Sequence, residues 1–401
     1  MAMATSSTIS RGSAVKGTLF LHLDFVLTGV VMTLLGPMLP VFSRRWSLND
    51  TQAGYLFIGQ WVTSLFGMLL SGVLVQRYGY RVTLILGLLL MAAGMAGLGQ
   101  ASWIAGMASV CIFGAGTGIT TPAANLLIAK SNPSKSAAAL NLLNSSWGVG
   151  AMACPFIVAL AQRSHHTTYF LYGMAVALVA LAIGVSLVRF SADQTDRTSR
   201  PTSSVDLRIW DNRLVPVIAA LFFVYVGIET SVGGWVASYA RRVDPAAVAL
   251  WAITPSFFWG ALLIGRALAP IALRHVRETN LATFGVALAS FGIVLLLLAK
   301  GIAIIIVGAS LAGLGLASVF PINVSLLSHW FGETATRVSG TIFSIGNLGG
   351  AVIPWLVGLI STHLGLRFGF VVPLLGAIGM LTFYLSWQKR DGQTTSAADC
   401  C

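Results

Sequence analysis

The sequence predicts an all-α integral membrane protein with twelve transmembrane helices in two six-helix repeats. The first observation is composition: of 401 residues, 56% are hydrophobic and only 9% are charged, with a mean hydropathy of +0.84. An ordinary soluble domain carries roughly 25% charged residues. The second observation is a series of apolar runs as long as the ~20 residues that a spanning helix needs. The third is a polar stretch that divides these runs into six and six.

The apolar runs are helices rather than barrel strands, because they are continuously apolar instead of alternating over about 10 residues. Short polar loops separate them. In chain order the predicted spans are 17–42, 51–76, 81–101, 103–129, 136–162, 167–189, 213–240, 247–273, 280–299, 301–329, 336–362 and 366–387.

The net charge of +12 lies mainly in the loops between the predicted spans. With both termini in the cytoplasm, 16 of the 24 Lys and Arg residues fall on the cytoplasmic side. The positive-inside rule accounts for these basic residues, so we predict no nucleic-acid binding. We expect a multi-pass protein of the plasma or inner membrane. The predicted organisation is an N-terminal tail, a six-helix bundle, a linker, a second six-helix bundle and a C-terminal tail, at 1–16, 17–189, 190–212, 213–387 and 388–401.

The two halves of the chain echo one another. Three segments of the first half match three of the second in the same order and at nearly one offset, which indicates a duplication. The first pair is FGMLLSG at 66–72 with WGALLIG at 259–265. The second is GAGTGITTP at 114–122 with GLGLASVFP at 313–321, and the third is SSWGVGAMACP at 145–155 with SIGNLGGAVIP at 344–354.

The loop after the second predicted span carries a short signature, GVLVQRYGYRVTL at 72–84. It resembles the loop motif of the major facilitator superfamily, whose members also consist of two parallel six-helix repeats around a central site. Gln76 stands where that family usually has Asp, so the charge contact of the Asp is not expected here. The resemblance implies gating or structural roles for the positions that fit, which are Gly72, Arg77, Gly79 and Arg81.

Four other segments resemble the fucose:proton symporter family, which includes bacterial glucose/mannose symporters and sodium-dependent glucose transporters. The resemblance implies a secondary active transporter that works by alternating access, and not an enzyme. It implies a sugar as cargo more weakly, because related sequences carry different cargoes. The segments are YVGIETSVGGW at 225–235, SFFWGALLIGR at 256–266, PAAN at 122–125 and NSSWGVGA at 144–151.

Two acids lie inside the predicted spans, Asp24 in the first and Glu229 in the seventh, and Arg266 accompanies them in the eighth. An ionisable group at mid-bilayer costs roughly 2.5 to 3.5 kcal/mol on insertion scales, so such residues usually face a cavity. Burial disfavours the charged form of a carboxylate, so these acids can alternate between protonated and ionised states. We therefore predict Asp24 and Glu229 as proton-coupling residues. The resemblance adds that first-span acids have this role in several superfamily sugar symporters.

Each of these residues also has a structural interpretation. Asp24 can pair with His22 or with a neighbouring helix, and Glu229 can belong to a purely structural ion pair. Arg266 can snorkel toward the cytoplasm or pair with an acid, in a structural or gating role. A direct pair between Arg266 and Glu229 would weaken the assignment of Glu229 to proton coupling.

Sugars are bound by amides, hydroxyls and carboxylates that meet their OH groups, with aromatic rings packed on their C–H faces. The alternative is that the amides join helices and the tryptophans anchor the membrane interface. The predicted substrate-binding residues are Glu229, Gln60, Asn125, Asn144, Tyr225, Trp259, Asn323 and Asn347.

The sequence thus predicts import of a neutral monosaccharide, glucose or a related hexose, by proton symport. Apart from basic residues at the span ends, Arg266 is the one basic residue in the predicted spans, which favours a neutral cargo over an anion. Sodium coupling, uncoupled sugar transport and proton-antiport export of small apolar or cationic compounds are alternatives. A non-transporting sensor or a membrane enzyme has little support, because the tails are short and no HExxH spacing occurs. No cofactor is expected beyond the co-transported ion, and the chain is expected to be a monomer in the lipid bilayer.

Overall fold

The structure, a computed structural model, describes residues 2–99, 102–188, 212 and 214–398. Within these residues the chain forms helices joined by short turns, and no β-strand occurs among them. The predicted linker lies outside the described residues except at position 212. The helices are α1 Ala2–Thr33, α2 Leu35–Arg45, α3 Asp50–Gly97, α4 Trp103–Ser131, α5 Ser136–Arg163, α6 Thr167–Leu187, α7 Leu214–Val243, α8 Val248–Ala272, α9 Glu278–Leu298, α10 Ile302–Leu316, α11 Val319–Phe331, α12 Ala335–Leu364, α13 Leu366–Gly369 and α14 Val371–Ala398.

Two of the predicted spans break where a proline removes a backbone hydrogen bond. Proline cannot donate to the carbonyl four residues earlier, and its ring clashes with that carbonyl. Thr33, the last residue of α1, lies four residues before Pro37, and Ala317, just after α10, lies four residues before Pro321. The α1–α2 pair is bent by 42°. Each pair of helices, α1 with α2 and α10 with α11, therefore corresponds to one predicted span.

The second and third predicted spans form a single long helical run, α3. The predicted loop at 77–80 is helical in its hydrogen bonding, but Gly79 has φ 84° and ψ 169°. Only glycine adopts these angles readily, so the run breaks there. Among the described residues, ten helices are long and apolar enough to span a membrane, or eleven with the bent α1–α2 pair. The break at Gly79 divides one of these into two, which confirms the twelve predicted spans.

Equivalent glycines bring equivalent helices together in the two repeats. A Cβ on Gly150 of α5 would lie 2.0 Å from the carbonyl oxygen of Val26 on α1, and one on Gly349 of α12 would lie 1.9 Å from that of Phe223 on α7. Small residues permit this close approach of two backbones. Gly150 and Gly349 also occupy the same place in the third pair of matched segments. The packing of α5 on α1 is therefore repeated by α12 on α7.

The chain forms two compact units. Unit 1 comprises residues 1–35 and 59–204, and unit 2 comprises residues 36–58 and 205–401. Unit 2 thus includes α2 and the first turns of α3 together with the C-terminal helices. The division into two bundles at the 190–212 linker stays a prediction.

Inside unit 2, polar side chains fasten the first turn of α3 to α7 and α12. Asp50 forms an ion pair with Arg242 at the end of α7 and accepts a hydrogen bond from Ser361 of α12. One residue along, the Thr51 N–H donates to the Thr362 hydroxyl at 2.9 Å. We call these residues the Asp50 cluster. It accounts for the membership of this early segment in unit 2.

Candidate functional site

A charged cluster in unit 2 joins α7 to α8. The Nη2 atom of Arg266 lies 3.1 Å from the Oε1 atom of Glu229 and donates to the Tyr225 hydroxyl at 3.2 Å. Tyr225 and Glu229 are four residues apart on one face of α7, so the Arg266 guanidinium bridges them. We call these three side chains the triad. Because the glutamate and the arginine have opposite charges, the triad as a whole is neutral.

Aromatic rings surround the triad on the side of α11 and α12. The ring of Phe320 lies 5.5 Å from that of Tyr225 and 5.4 Å from that of Phe222, centroid to centroid. Phe343 of α12 approaches both Phe222 and Phe320, at 5.3 and 6.3 Å. These rings give the triad an apolar wall of the kind that packs against the C–H face of a sugar.

A second polar pair lies one helical turn along α11 from Phe320. Asn323 is fully buried, and its Oδ1 atom accepts a hydrogen bond from the hydroxyl of Tyr384 on α14. The Nδ2 atom of Asn323 and the Nε atom of Arg266 are buried and have no hydrogen-bond partner among the described residues. Phe320, whose ring contacts that of Tyr225, lies three residues before Asn323 on α11, so the pair lies about one helical turn from the aromatic rings beside the triad. Unit 2 therefore holds one polar cluster built from α7, α8, α11 and α14.

The two other predicted ligands of unit 2 lie on the same helices. Trp259 is buried on α8, where its indole ring occupies the space beside Gly233 of α7: a Cβ on that glycine would lie 2.6 Å from the ring. Asn347 is half-buried on α12, one turn after Phe343. The structure thus places Tyr225, Trp259 and Asn323 in the interior of unit 2.

Asp24 lies alone in the interior of unit 1. It is 1% exposed, and the hydroxyl of Thr28, one turn later on α1, donates to its Oδ1 atom at 3.3 Å. Its Oδ2 atom has no hydrogen-bond partner, and no basic side chain of the described residues forms an ion pair with it. His22, the partner that the sequence offered as an alternative, instead lies 2.8 Å from the hydroxyl of Ser146. Within the described part of the chain, Asp24 is therefore a buried carboxylate without a counter-cation.

The predicted amides of unit 1 bond mostly to backbone. Gln60 is buried and donates to the Met32 carbonyl at 2.8 Å, while its Oε1 atom has no partner among the described residues. Asn125 and Asn144 each donate to the carbonyl four residues earlier on their own helix. A long contact of 3.5 Å joins the two side chains and links α4 to α5. Gln60 therefore keeps a buried acceptor, whereas Asn125 and Asn144 connect two helices.

The residues of the loop signature differ in their surroundings. Gly79 has the positive φ that requires glycine, whereas a Cβ on Gly72 would meet nothing within 4 Å. Arg77 is exposed and Arg81 is half-buried. The geometry explains the second glycine of the motif and gives no packing reason for the first.

The described residues form apolar helices of spanning length, with a neutral polar cluster in one unit and a buried carboxylate in the other, which is typical of a multi-pass membrane protein. The chain belongs to the major facilitator superfamily, because the sequence model described as Major Facilitator Superfamily matches residues 25–304. Membership in this superfamily, expected from the loop signature and the repeat, is thereby confirmed.

The chain is also similar to named transporters along most of its length. A glucose/galactose transporter of Brucella abortus is 26% identical over 404 residues, with 95% of each chain covered. The glucose/mannose transporter of Bacillus subtilis is 24% identical, with 86% of this chain and 88% of the relative covered. The sodium-dependent glucose transporter 1A of Mus musculus is 22% identical, with 86% and 89% covered.

Solved structures show the same fold at low sequence identity. A D-xylose-proton symporter has a TM-score of 0.75 and is 14% identical, with 92% of this chain and 97% of the symporter covered. The fucose:proton symporter of E. coli has a TM-score of 0.64 and is 20% identical, with 93% and 98% covered. The helical arrangement is therefore that of the superfamily.

Sequence reasoning missed several residues that contact the predicted ones. Tyr384 and Phe320 approach the unit 2 cluster, and Thr28 bonds to Asp24. Of these, Thr28 had a signal in the sequence, since a hydroxyl four residues after a buried acid lies on the same helical face. No group of three or more His, Cys, Asp or Glu side chains suited to a metal ion occurs in the described part of the chain.

Proposed function

We propose that the protein imports a neutral monosaccharide, glucose or a related hexose, by proton symport through alternating access. The observation that carries the proposal is the contrast between the two buried acids. Glu229 is paired with Arg266 at 3.1 Å, whereas Asp24 has no counter-cation among the described residues. A protein with one paired and one unpaired buried acid, each within its own unit, can bind a neutral solute and carry a proton on separate groups.

The unit 2 cluster supports a neutral sugar as substrate. The triad has no net charge, so it offers no excess cation to an anionic cargo and no excess acid to a cationic one. Its carboxylate accepts hydrogen bonds, its guanidinium donates them, and the rings of Phe320 and Phe343 are 6.3 Å apart beside it. Alternating hydroxyls on a small apolar ring match this set of groups. The named relatives transport glucose with galactose or mannose, which favours a hexose.

Asp24 supports proton coupling. A buried carboxylate without a counter-cation is costly when ionised and much less so when protonated, so binding and release of a proton change its free energy strongly. Glu229 has less need of a proton, because Arg266 already balances its charge. We therefore assign the proton to Asp24 and substrate binding to Glu229. For import with both termini in the cytoplasm, Asp24 would load its proton from the outer side and release it inward.

The test is uptake of labelled glucose into proteoliposomes under an imposed inward proton gradient, with sodium absent. The variants are Asp24→Asn and Glu229→Gln. The control is Glu278→Gln, the same change at the first turn of α9, outside the predicted spans. We expect Asp24→Asn to lose accumulation but keep glucose exchange, Glu229→Gln to lose both, and the control to match the wild type.

The outcomes separate the alternatives. Accumulation driven by sodium and not by protons would show a sodium-coupled transporter, the function in the name of the Mus musculus relative. Equilibration without accumulation in either gradient would show uncoupled transport. An absence of hexose flux in every condition would overturn the substrate, and protection of a sensitive host against toxic cations would then favour export.

A further inference from the structure

Tyr384 and Asn323 form a buried pair between two helices that the chain brings together from 61 positions apart. Tyr384 is fully buried on α14, and Asn323 is fully buried on α11. A side-chain amide has one acceptor oxygen and an NH₂ group with two donors, and a tyrosine hydroxyl has a single proton to donate. By donating to the amide oxygen, Tyr384 fixes which end of Asn323 is occupied. The NH₂ end is left with no partner among the described residues.

A second buried donor of unit 2 has the same property as this NH₂ group. The Nε atom of Arg266 is buried and also has no acceptor among the described residues, although its Nη2 atom bonds to the triad. A buried donor without an acceptor costs about 1 to 3 kcal/mol. Two such donors beside one neutral cluster favour a ligand that supplies acceptor oxygens, and sugar hydroxyls are such acceptors.

We propose that Tyr384 is a positioning residue for the substrate, which orients the Asn323 amide so that its NH₂ group donates to one hydroxyl of the bound hexose. The inference rests on the proposed function above and adds a residue and a contact to it. Tyr384 itself need not contact the sugar. Tyr384 acts on binding by orienting the Asn323 amide. A change at Tyr384 should therefore weaken the contact to one hydroxyl of the sugar and leave the contacts to the other hydroxyls unchanged.

The experiment measures the affinity of the purified full-length chain for glucose and for the glucose analogues that each lack one hydroxyl. The variants are Tyr384→Phe and Asn323→Ala. The control is Tyr239→Phe, because Tyr239 is also buried and its hydroxyl donates to the Ala299 carbonyl at 3.4 Å, at the far end of α7 from Tyr225. It removes an interhelical tyrosine hydrogen bond away from the cluster.

In the wild type, removal of the contacted hydroxyl weakens binding. In Tyr384→Phe we expect glucose affinity to fall about tenfold, the equivalent of about 1.4 kcal/mol, with the maximal exchange rate in proteoliposomes unchanged. In Tyr384→Phe, the analogue that lacks the contacted hydroxyl should then bind no more weakly than glucose does. Asn323→Ala should abolish the affinity difference for the same analogue. The other analogues should keep their wild-type losses, and Tyr239→Phe should keep the whole profile.

The failures are distinguishable. If Tyr384→Phe lowers thermal stability or yield but keeps the wild-type analogue profile, the hydroxyl only joins α11 to α14 and the inference is wrong. If Tyr384→Phe and Asn323→Ala lose selectivity at different hydroxyls, Tyr384 does not act through Asn323. If the wild type binds no hexose at all, the proposed function fails and this inference fails with it.

Discussion

Replacing the charged members of the triad singly and together tests whether Glu229 and Arg266 stabilise the fold as a pair. At 3.1 Å and an effective dielectric constant of about 20, two unit charges attract by about 5 kcal/mol before desolvation is counted. Removing one partner of a buried pair costs about 3 to 5 kcal/mol. The side chains of Arg266 and Glu229 keep 27% and 13% of their exposure, so we expect the lower end, about 3 kcal/mol for Glu229→Gln.

The two single changes should differ. Glu229→Gln leaves a guanidinium that cannot lose its proton, whereas Arg266→Met leaves a carboxylate that can take one up. We therefore expect Arg266→Met to cost less, about 1 to 2 kcal/mol at pH 7 and less still at lower pH. The double variant removes both charges and should return to within about 1 kcal/mol of the wild type.

The assay is SDS titration of the protein in mixed micelles, followed by circular dichroism, and the four forms make a double-mutant cycle. The control is Asp50→Asn, whose partner Arg242 is 47% exposed, and it should cost less than about 1 kcal/mol. A double variant whose loss equals the sum of the two single losses would refute the pairing argument, and a costlier Arg266→Met would refute the asymmetry.

Two further predictions concern glycines and use the same titration. Gly349→Ala should destabilise by about 1 to 3 kcal/mol, because its Cβ would lie 1.9 Å from the Phe223 carbonyl oxygen. The control is Gly173→Ala, where a Cβ meets nothing within 4 Å, and it should be neutral or slightly stabilising. Equal effects at Gly349 and Gly173 would contradict the close approach of α7 and α12. Gly79→Ala should cost about 1 to 3 kcal/mol because φ is 84°. Gly72→Ala in the same loop signature should cost little, and a loss there as large as at Gly79 would contradict the backbone explanation.

The sequence predicted the number of spans and the buried acids because both depend on local composition. A charge within an apolar run is visible at Asp24, Glu229 and Arg266 without any knowledge of packing. The pairing of Glu229 with Arg266 was not predictable in the same way, because the two lie 37 positions apart on helices whose mutual rotation no local pattern fixes. The sequence could state only that such a pair would reduce the need of Glu229 for a proton.

Tyr384 illustrates the opposite limit. Its single hydroxyl lies in the apolar run LTFYLSW, where tyrosine is common at membrane interfaces and carries no charge to mark it. Its importance arises only when α14 packs beside α11 and meets Asn323. The helical hydrogen bonding around Gly79 was hidden for a related reason: the polar residues there predicted a loop, whereas backbone hydrogen bonds continue through them up to the break at Gly79.

The duplication explains why the two acids can differ in role. Val26 on α1 and Phe223 on α7 occupy equivalent positions in the two repeats, because the Val26 carbonyl lies against Gly150 and the Phe223 carbonyl lies against Gly349. Asp24 lies two residues before Val26, whereas Glu229 lies six residues after Phe223. The two acids therefore occupy positions of their own repeats that differ by eight residues, about 12 Å along a helix at about 1.5 Å per residue. The two acids are therefore not at equivalent positions of the repeats, and among the described residues each has different partners: the Thr28 hydroxyl for Asp24, and Arg266 with Tyr225 for Glu229. This difference in partners gives a physical basis for proposing that one acid carries the proton while the other stays charged and holds the sugar.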